Sequence, residues 1–186
     1  MHAELQDYLR QLDAVKADAQ ALIARIPDAQ WNAPPALGRW SPAECVDHLT
    51  VSVRAALPAV DRAIERARSS DWTASGPFRY GWFARWMVRS LDAPAQRRFK
   101  TFPVFQPTPG KPKRQVLDEF LRSSEELAER VRRSDGLDLK RAKVTSPASR
   151  FFRLSLGAYL AMLVAHDRRH LWQARQVLQG SRRTDG

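Results

Sequence analysis

The 186 residues predict an all-α protein: a four-helix bundle with one long crossover between its second and third helices, carrying a short extra helix. Three observations carry that prediction. Apolar residues recur at helical spacing in four long stretches. Helix start and stop signals bracket those stretches. About forty residues of different character separate the second stretch from the third, too many for a tight turn between packed neighbours.

The first helix is expected from Ala3 to Ile26, with Leu5, Tyr8, Leu9, Leu12, Val15, Ala19, Leu22 and Ile26 on one face, until Pro27 and the loop WNAPPALG stop it. The second has the clearest start. Ser41 is a good N-cap, Pro42 suits the first helical position and Glu44 closes a capping box. Trp40 precedes the cap and is placed to pack on Cys45 as a hydrophobic staple. The helix continues through His48, Val53, Val60 and Ile64 to about Arg68, with a kink expected at Pro58. The third starts near Pro112 and runs through Val116, Phe120, Leu127 and Val131, with Gly136 as its C-terminal cap. The fourth starts near Ser155, carries Leu156, Tyr159, Leu160, Leu163, His166, His170, Ala174 and Val177, and ends at Gly180. Residues 1–180 form a single domain on this reading, and 181–186 a short basic tail.

Two segments stand apart. In the crossover from Ser69 to Lys111, YGWFARWMVRSLD reads as a short helix with Trp82, Trp86 and Met87 available for packing. The stretch FKTFPVFQPTPGKP after it is too proline-rich for helix. Asp138 to Arg153 reads as a second, irregular connection.

The bulk numbers narrow the class. Hydrophobic residues make up 44% of the chain, enough for one continuous core. The single cysteine, Cys45, excludes an internal disulfide framework and points to a reducing, cytoplasmic setting. The N-terminus carries acids inside an amphipathic pattern, so it reads as neither signal peptide nor membrane span. The net charge of +11 invites a nucleic-acid partner. Yet the basic residues are spread along the chain, the dense runs are pairs such as Arg132–Arg133 and Arg168–Arg169, and no zinc-finger spacing or RNP-like motif accompanies them. A solvated basic surface is the favoured reading, with a nucleic-acid or other acidic partner as the alternative.

Three of the four histidines fall where a metal site would need them. His166 and His170 are four apart in HDRRH, so a helix brings them onto one face. Both continue the apolar side of the fourth helix, and His48 lies close to the apolar side of the second. Two helices thus aim imidazoles at a bundle interior, where bundles build metal sites. Three neutral imidazoles leave coordination positions open for chemistry, and the same residues could also be satisfied core histidines without metal. This is not the HExxH of zinc proteases: Asp167 is rotated about 100 degrees from His166, which leaves it a partner of the ligands or a surface residue. Glu44 lies one turn before His48 and either caps its helix or orients the imidazole. Cys45 is open as a fourth ligand or nucleophile against its reading as a small packed residue. Gln173 is placed to bond a metal-bound group, and Tyr159 and Trp172 to line a pocket or the core.

WSPAECVDHL, with Trp40, Ser41, Pro42 and His48, and AHDRRHLWQARQVL, with His166, His170 and Gln173, resemble the DinB-like superfamily of bacterial proteins. The likeness extends over the chain in helix order and is weakest from Ser69 to Arg153. It implies an up-down-down-up bundle, often dimeric, with a divalent metal, zinc or nickel, held by His48, His166 and His170. It implies a metal-dependent enzyme acting on a small molecule, since relatives include hydrolases and S-transferases that use bacillithiol or mycothiol. A low-molecular-weight thiol is then a possible co-substrate, and Arg79, Arg85 and Arg89 are candidates to receive its charge. The alternative is a non-catalytic, stress-associated module binding an acidic partner.

Overall fold

The structure is a computed structural model that describes residues 1–94 and 100–184, with side chains through Leu178. In chain order it contains α1 (Ala3–Arg25), the single turn α2 (Asp28–Trp31), α3 (Pro42–Ser69), α4 (Trp82–Ser90), a 3₁₀ turn (Pro103–Phe105), α5 (Lys113–Arg133), β1 (Lys143–Thr145), β2 (Arg153–Ser155) and α6 (Leu156–Thr184). The long helices follow the expected order. Among the described residues no helix is long and apolar enough to cross a membrane.

The start of α3 is the one the sequence announces. The Ser41 hydroxyl accepts from the Glu44 amide at 3.2 Å, and the Glu44 carboxylate accepts from the Ser41 amide at 2.9 Å. A cap of this kind is worth about 1 kcal/mol. The helix runs through Pro58 without interruption, and that proline is exposed, where water can serve the backbone it leaves unpaired.

Three boundaries differ from expectation. The C-cap of α5 is Ser134, not Gly136, and its amide and hydroxyl both donate to the Arg130 carbonyl, the hydroxyl at 2.7 Å. Gly136 then turns the chain away at φ +78, a conformation that suits a residue without Cβ. Helix α6 does not end at Gly180 but continues to Thr184. A helical glycine costs about 1 kcal/mol, which alone does not stop a helix. Four residues of the expected tail are therefore helical, and 185–186 lie outside the described residues. The 138–153 connection, expected to be irregular, holds β1 and leads into β2, which pair as an antiparallel hairpin with Val144 opposite Leu154, both buried. Strands of three residues leave too little periodicity to read.

Contacts along the helices give their directions. Tyr8 meets Gly157 and Asp18 meets Arg175, so α1 and α6 run parallel. Asp61 pairs with Arg130 and Glu65 with Arg133, while Asp47 near the start of α3 reaches Lys111 just before α5, so α3 and α5 run parallel as well. Lys113 meets the Ile26 carbonyl and Lys16 meets Glu125, so α1 and α5 are antiparallel. The order is therefore up-down-down-up, with α1 and α3 each packed between α5 and α6.

Parallel neighbours cannot be joined by a short turn. The chain leaving α3 must return along the bundle to start α5, and the long crossover does this. On the way α4 docks on α6. Ala84 is buried and Met87 and Val88 lean on the core, and the Arg168 guanidinium grips Asp92 through two bonds of 2.9 and 2.7 Å. Trp82 and Trp86 do not pack as expected. They face solvent with Phe83, and Trp82 is 75% exposed.

The interior divides into two apolar clusters. The larger includes Leu5, Leu12, Val53, Val60, Leu127, Tyr159, Leu163 and Val164. The smaller includes Val15, Leu22, Trp31, Cys45, Val46, Leu49, Phe120, Leu171 and Ala174. Burying each large side chain contributes about 1.5–3 kcal/mol. The polar residues His48, His166 and His170 fall in sequence where the two clusters meet.

Candidate metal centre

His48 is the second helical turn of α3, and His166 and His170 occupy adjacent turns of α6. Because α3 and α6 pack against each other, the three rings close into a triangle. Their centroids are 4.9 Å (48–166), 4.4 Å (48–170) and 4.5 Å (166–170) apart. One ligand atom from each lies within 4.8 Å of the others. His48 Nε2 and His166 Nε2 are 3.2 Å apart. Two imidazole nitrogens on one tetrahedral zinc, each at 2.0–2.1 Å, stand about 3.3 Å from one another. That pair of nitrogens stands at the spacing a shared ion would need.

Protonation also fits. Burial, only partly offset by the Phe105 carbonyl, lowers His48 to about 4. Burial holds His166 and His170 well below the usual imidazole range, and the neighbouring imidazoles and Arg169 add to the effect. All three rings are thus neutral at physiological pH and offer lone pairs. The His170 Nδ1 atom is buried with no hydrogen-bond partner among the described residues, a cost that a ligand would relieve.

The tautomer of His48 is set by its other nitrogen. Nδ1 lies 2.6 Å from the Phe105 carbonyl oxygen, an acceptor only, so Nδ1 carries the proton and Nε2 is left as the donor atom. Neither Glu44 nor any side chain expected from sequence does this. The Glu44 carboxylate is engaged by Ser41, and the orienting group is a backbone carbonyl of the crossover. Trp40 leans on the smaller cluster, which contains Cys45, and its indole stands 4.7 Å from the His48 ring and 5.8 Å from His170, forming one wall of the site.

The remaining candidates separate cleanly. Cys45 is buried and outside the cluster of donor atoms, and burial followed by the Glu44 charge pushes its thiol up to about 12, so it packs rather than reacts. Gln173, three residues on in α6, favours the protonated form of His170 and offsets a small part of the effect of burial. Tyr159 belongs to the larger core cluster, and Trp172 is partly buried. Asp167 is not a surface residue: it is 1% exposed, and desolvation pushes its carboxyl up to about 8. Arg79, Arg85 and Arg89 are exposed on the crossover.

Two residues that shape the site escaped the sequence reading. Phe105 acts through its backbone, which no side-chain pattern reports. Asp47, beside His48, is 0% exposed and bonds the Thr108 amide and the Lys111 ammonium, each at 2.7 Å. A carboxylate on the buried side of α3 was the signal available, since a buried charge demands a partner.

The family profile of the DinB superfamily matches residues 11–174. No protein in the curated set matches the chain in sequence. Among solved structures, YfiT from Bacillus subtilis, described as a probable metal-dependent hydrolase with an unusual four-helix bundle topology, superposes with a TM-score of 0.63 at 16% identity. That similarity covers 100% of this chain and 90% of the other, and at this identity it establishes the shared fold.

Proposed function

We propose, from the premise that the chain belongs to the DinB superfamily, that it is a metal-dependent enzyme acting on a small molecule, with His48, His166 and His170 as ligands of one divalent ion. The observation that carries this reading is the convergence of three neutral imidazoles with one pair of ring nitrogens 3.2 Å apart. Zinc and nickel both suit such a donor set. A divalent ion held by three ligands supplies a Lewis acid with open positions, suited to activating water or a thiol. Hydrolysis is favoured by the description of the YfiT structure, and transfer of a low-molecular-weight thiol is the second activity to test.

The protein's own part is to hold and orient. Phe105 fixes the tautomer of His48, and the Trp40 indole excludes water from one side of the rings. No side chain is required as nucleophile, consistent with the inert environment of Cys45. The single buried thiol suits a cytoplasmic enzyme, and assembly as a homodimer is part of the same reading.

Elemental analysis of untagged protein tests it. We expect about one zinc or nickel per chain in the parent and little in His166→Ala. Parent protein that is metal-free and fails to take up added zinc or nickel would overturn the proposal.

A further inference from the structure

We propose that Asp47 is a positioning residue for the histidine site: by holding the end of the crossover on α3, it keeps the Phe105 carbonyl on His48 Nδ1 and Nε2 free as donor. The inference rests on reading the three histidines as ligands, and it concerns how one of them is aimed.

The crossover reaches the site as PVFQPTPGKP, with prolines at 103, 107, 109 and 112. Prolines have no backbone donor, so this segment has few amides with which to anchor itself. One it does have, the Thr108 N–H, is given to Asp47 Oδ2 at 2.7 Å. The other Asp47 oxygen accepts from Lys111 Nζ at 2.7 Å, and Glu119 of α5 shares that ammonium at 2.9 Å. The indole of Trp31 donates to the Lys111 carbonyl at 3.0 Å. Phe105 lies three residues before Thr108, at the end of the 3₁₀ turn, with its carbonyl 2.6 Å from His48. Asp47 and His48 are consecutive in α3, so the clamp and the ring it serves share one rigid support.

An ion pair whose carboxylate is buried need not stabilise a fold, since desolvation offsets much of its attraction, and Lys111 stays 20% exposed. Stability alone is therefore a weak reason for a carboxylate at this position. Its two bonds go instead to the segment that decides which nitrogen of His48 carries the proton. Groups that orient a ligand typically change metal affinity 10–100-fold when removed.

The test uses the full chain labelled with ¹⁵N, in parent, Asp47→Ala, Asp47→Asn and Lys111→Met forms. Imidazole ¹H–¹⁵N spectra of metal-free protein at neutral pH report the tautomer, and zinc titration against a competing chelator reports affinity. We expect His48 to hold its proton on Nδ1 in the parent and to lose that preference in Asp47→Ala. Zinc affinity should fall roughly 10–100-fold in Asp47→Ala, with a smaller fall in Lys111→Met. Val60→Ala, a core change in the larger cluster, should leave affinity within about twofold, because general loosening does not re-aim the ring. If Asp47→Ala does not fold, Asp47→Asn and Lys111→Met carry the comparison. Variants with the parent's tautomer and zinc affinity overturn the positioning role while the ligand reading stands. A parent that binds no zinc overturns both.

Discussion

Gly157→Ala sets two effects of opposite sign against each other. Gly157 is the second residue of α6, and helix propensity alone makes alanine better there by up to about 1 kcal/mol. The space is taken, however. A Cβ on residue 157 would stand 1.8 Å from the Tyr80 hydroxyl, 2.6 Å from its Cζ and 3.2 Å from Glu4 Oε1. The Tyr80 ring, at the head of α4, would have to withdraw and give up its 2.6 Å bond to Glu4. Tyr8 also donates to that carboxylate oxygen and contacts the Gly157 carbonyl at 3.3 Å, so the whole junction of α1, α6 and the crossover is disturbed. A hydrogen bond to a charged group is worth about 1.5–3 kcal/mol, so the loss outweighs the propensity gain and leaves a net cost of about 1–2 kcal/mol. For a chain of this length that lowers Tm by roughly 2–8 °C. The assay is urea and thermal denaturation of Gly157→Ala in the parent and in a Tyr80→Ala background. With the ring gone, the same substitution should become neutral or stabilising. Equal effects in both backgrounds, or a stabilised single variant, would show that Tyr80 does not occupy this space.

Two further outcomes follow from the ionisable groups. In metal-free protein, His48, His166 and His170 resist protonation while the unfolded chain takes up protons near 6.5, so folding stability should fall as pH drops from 6.5 toward 4. His48 alone contributes about 3 kcal/mol across that window. Asp167, with its carboxyl raised to about 8, acts in the opposite sense and cancels part of the fall. Urea titrations in chelator at pH 7, 6 and 5 measure the slope, and a flat profile would mean that the imidazoles are solvated. Cys45, with its thiol near 12, should react with iodoacetamide at pH 8 roughly a thousandfold more slowly than a free cysteine, and fully in urea. Rapid labelling of native protein would restore it as a candidate nucleophile or ligand.

How much was legible depends on where the information lies. Helix order, the capping box at Ser41 and the convergence of His48 with His166 and His170 were readable, because each is a side-chain pattern with a fixed period or offset. The three-residue strands and the exposure of Trp82 were not, because each depends on a partner distant in sequence or on its absence. Trp82 is the instructive case. Its size argues for burial, yet α4 meets α6 with Ala84, Met87 and Val88, and the tryptophan falls on the other side of that short helix. The orienting carbonyl of Phe105 was the least accessible of all, since any residue type supplies the same oxygen.

The topology explains why the site needs the crossover. With α3 and α5 parallel, the chain must travel back along a helix of 28 residues, a distance of about 42 Å, before α5 can begin. A bundle of antiparallel sequence neighbours would span the same gap with a tight turn and bring nothing to the histidines. Here the return path ends above the N-terminal turns of α3, and its last residues supply what two helices cannot: a carbonyl 2.6 Å from Nδ1 of a ring whose Nε2 faces His166. Helices α3 and α6 set the distance between the imidazoles, and the crossover sets the chemical state of one of them. Loosening the crossover should therefore impair the site while the bundle stays folded. Weakening the core should instead unfold the protein and leave the ligand geometry of the folded fraction unchanged.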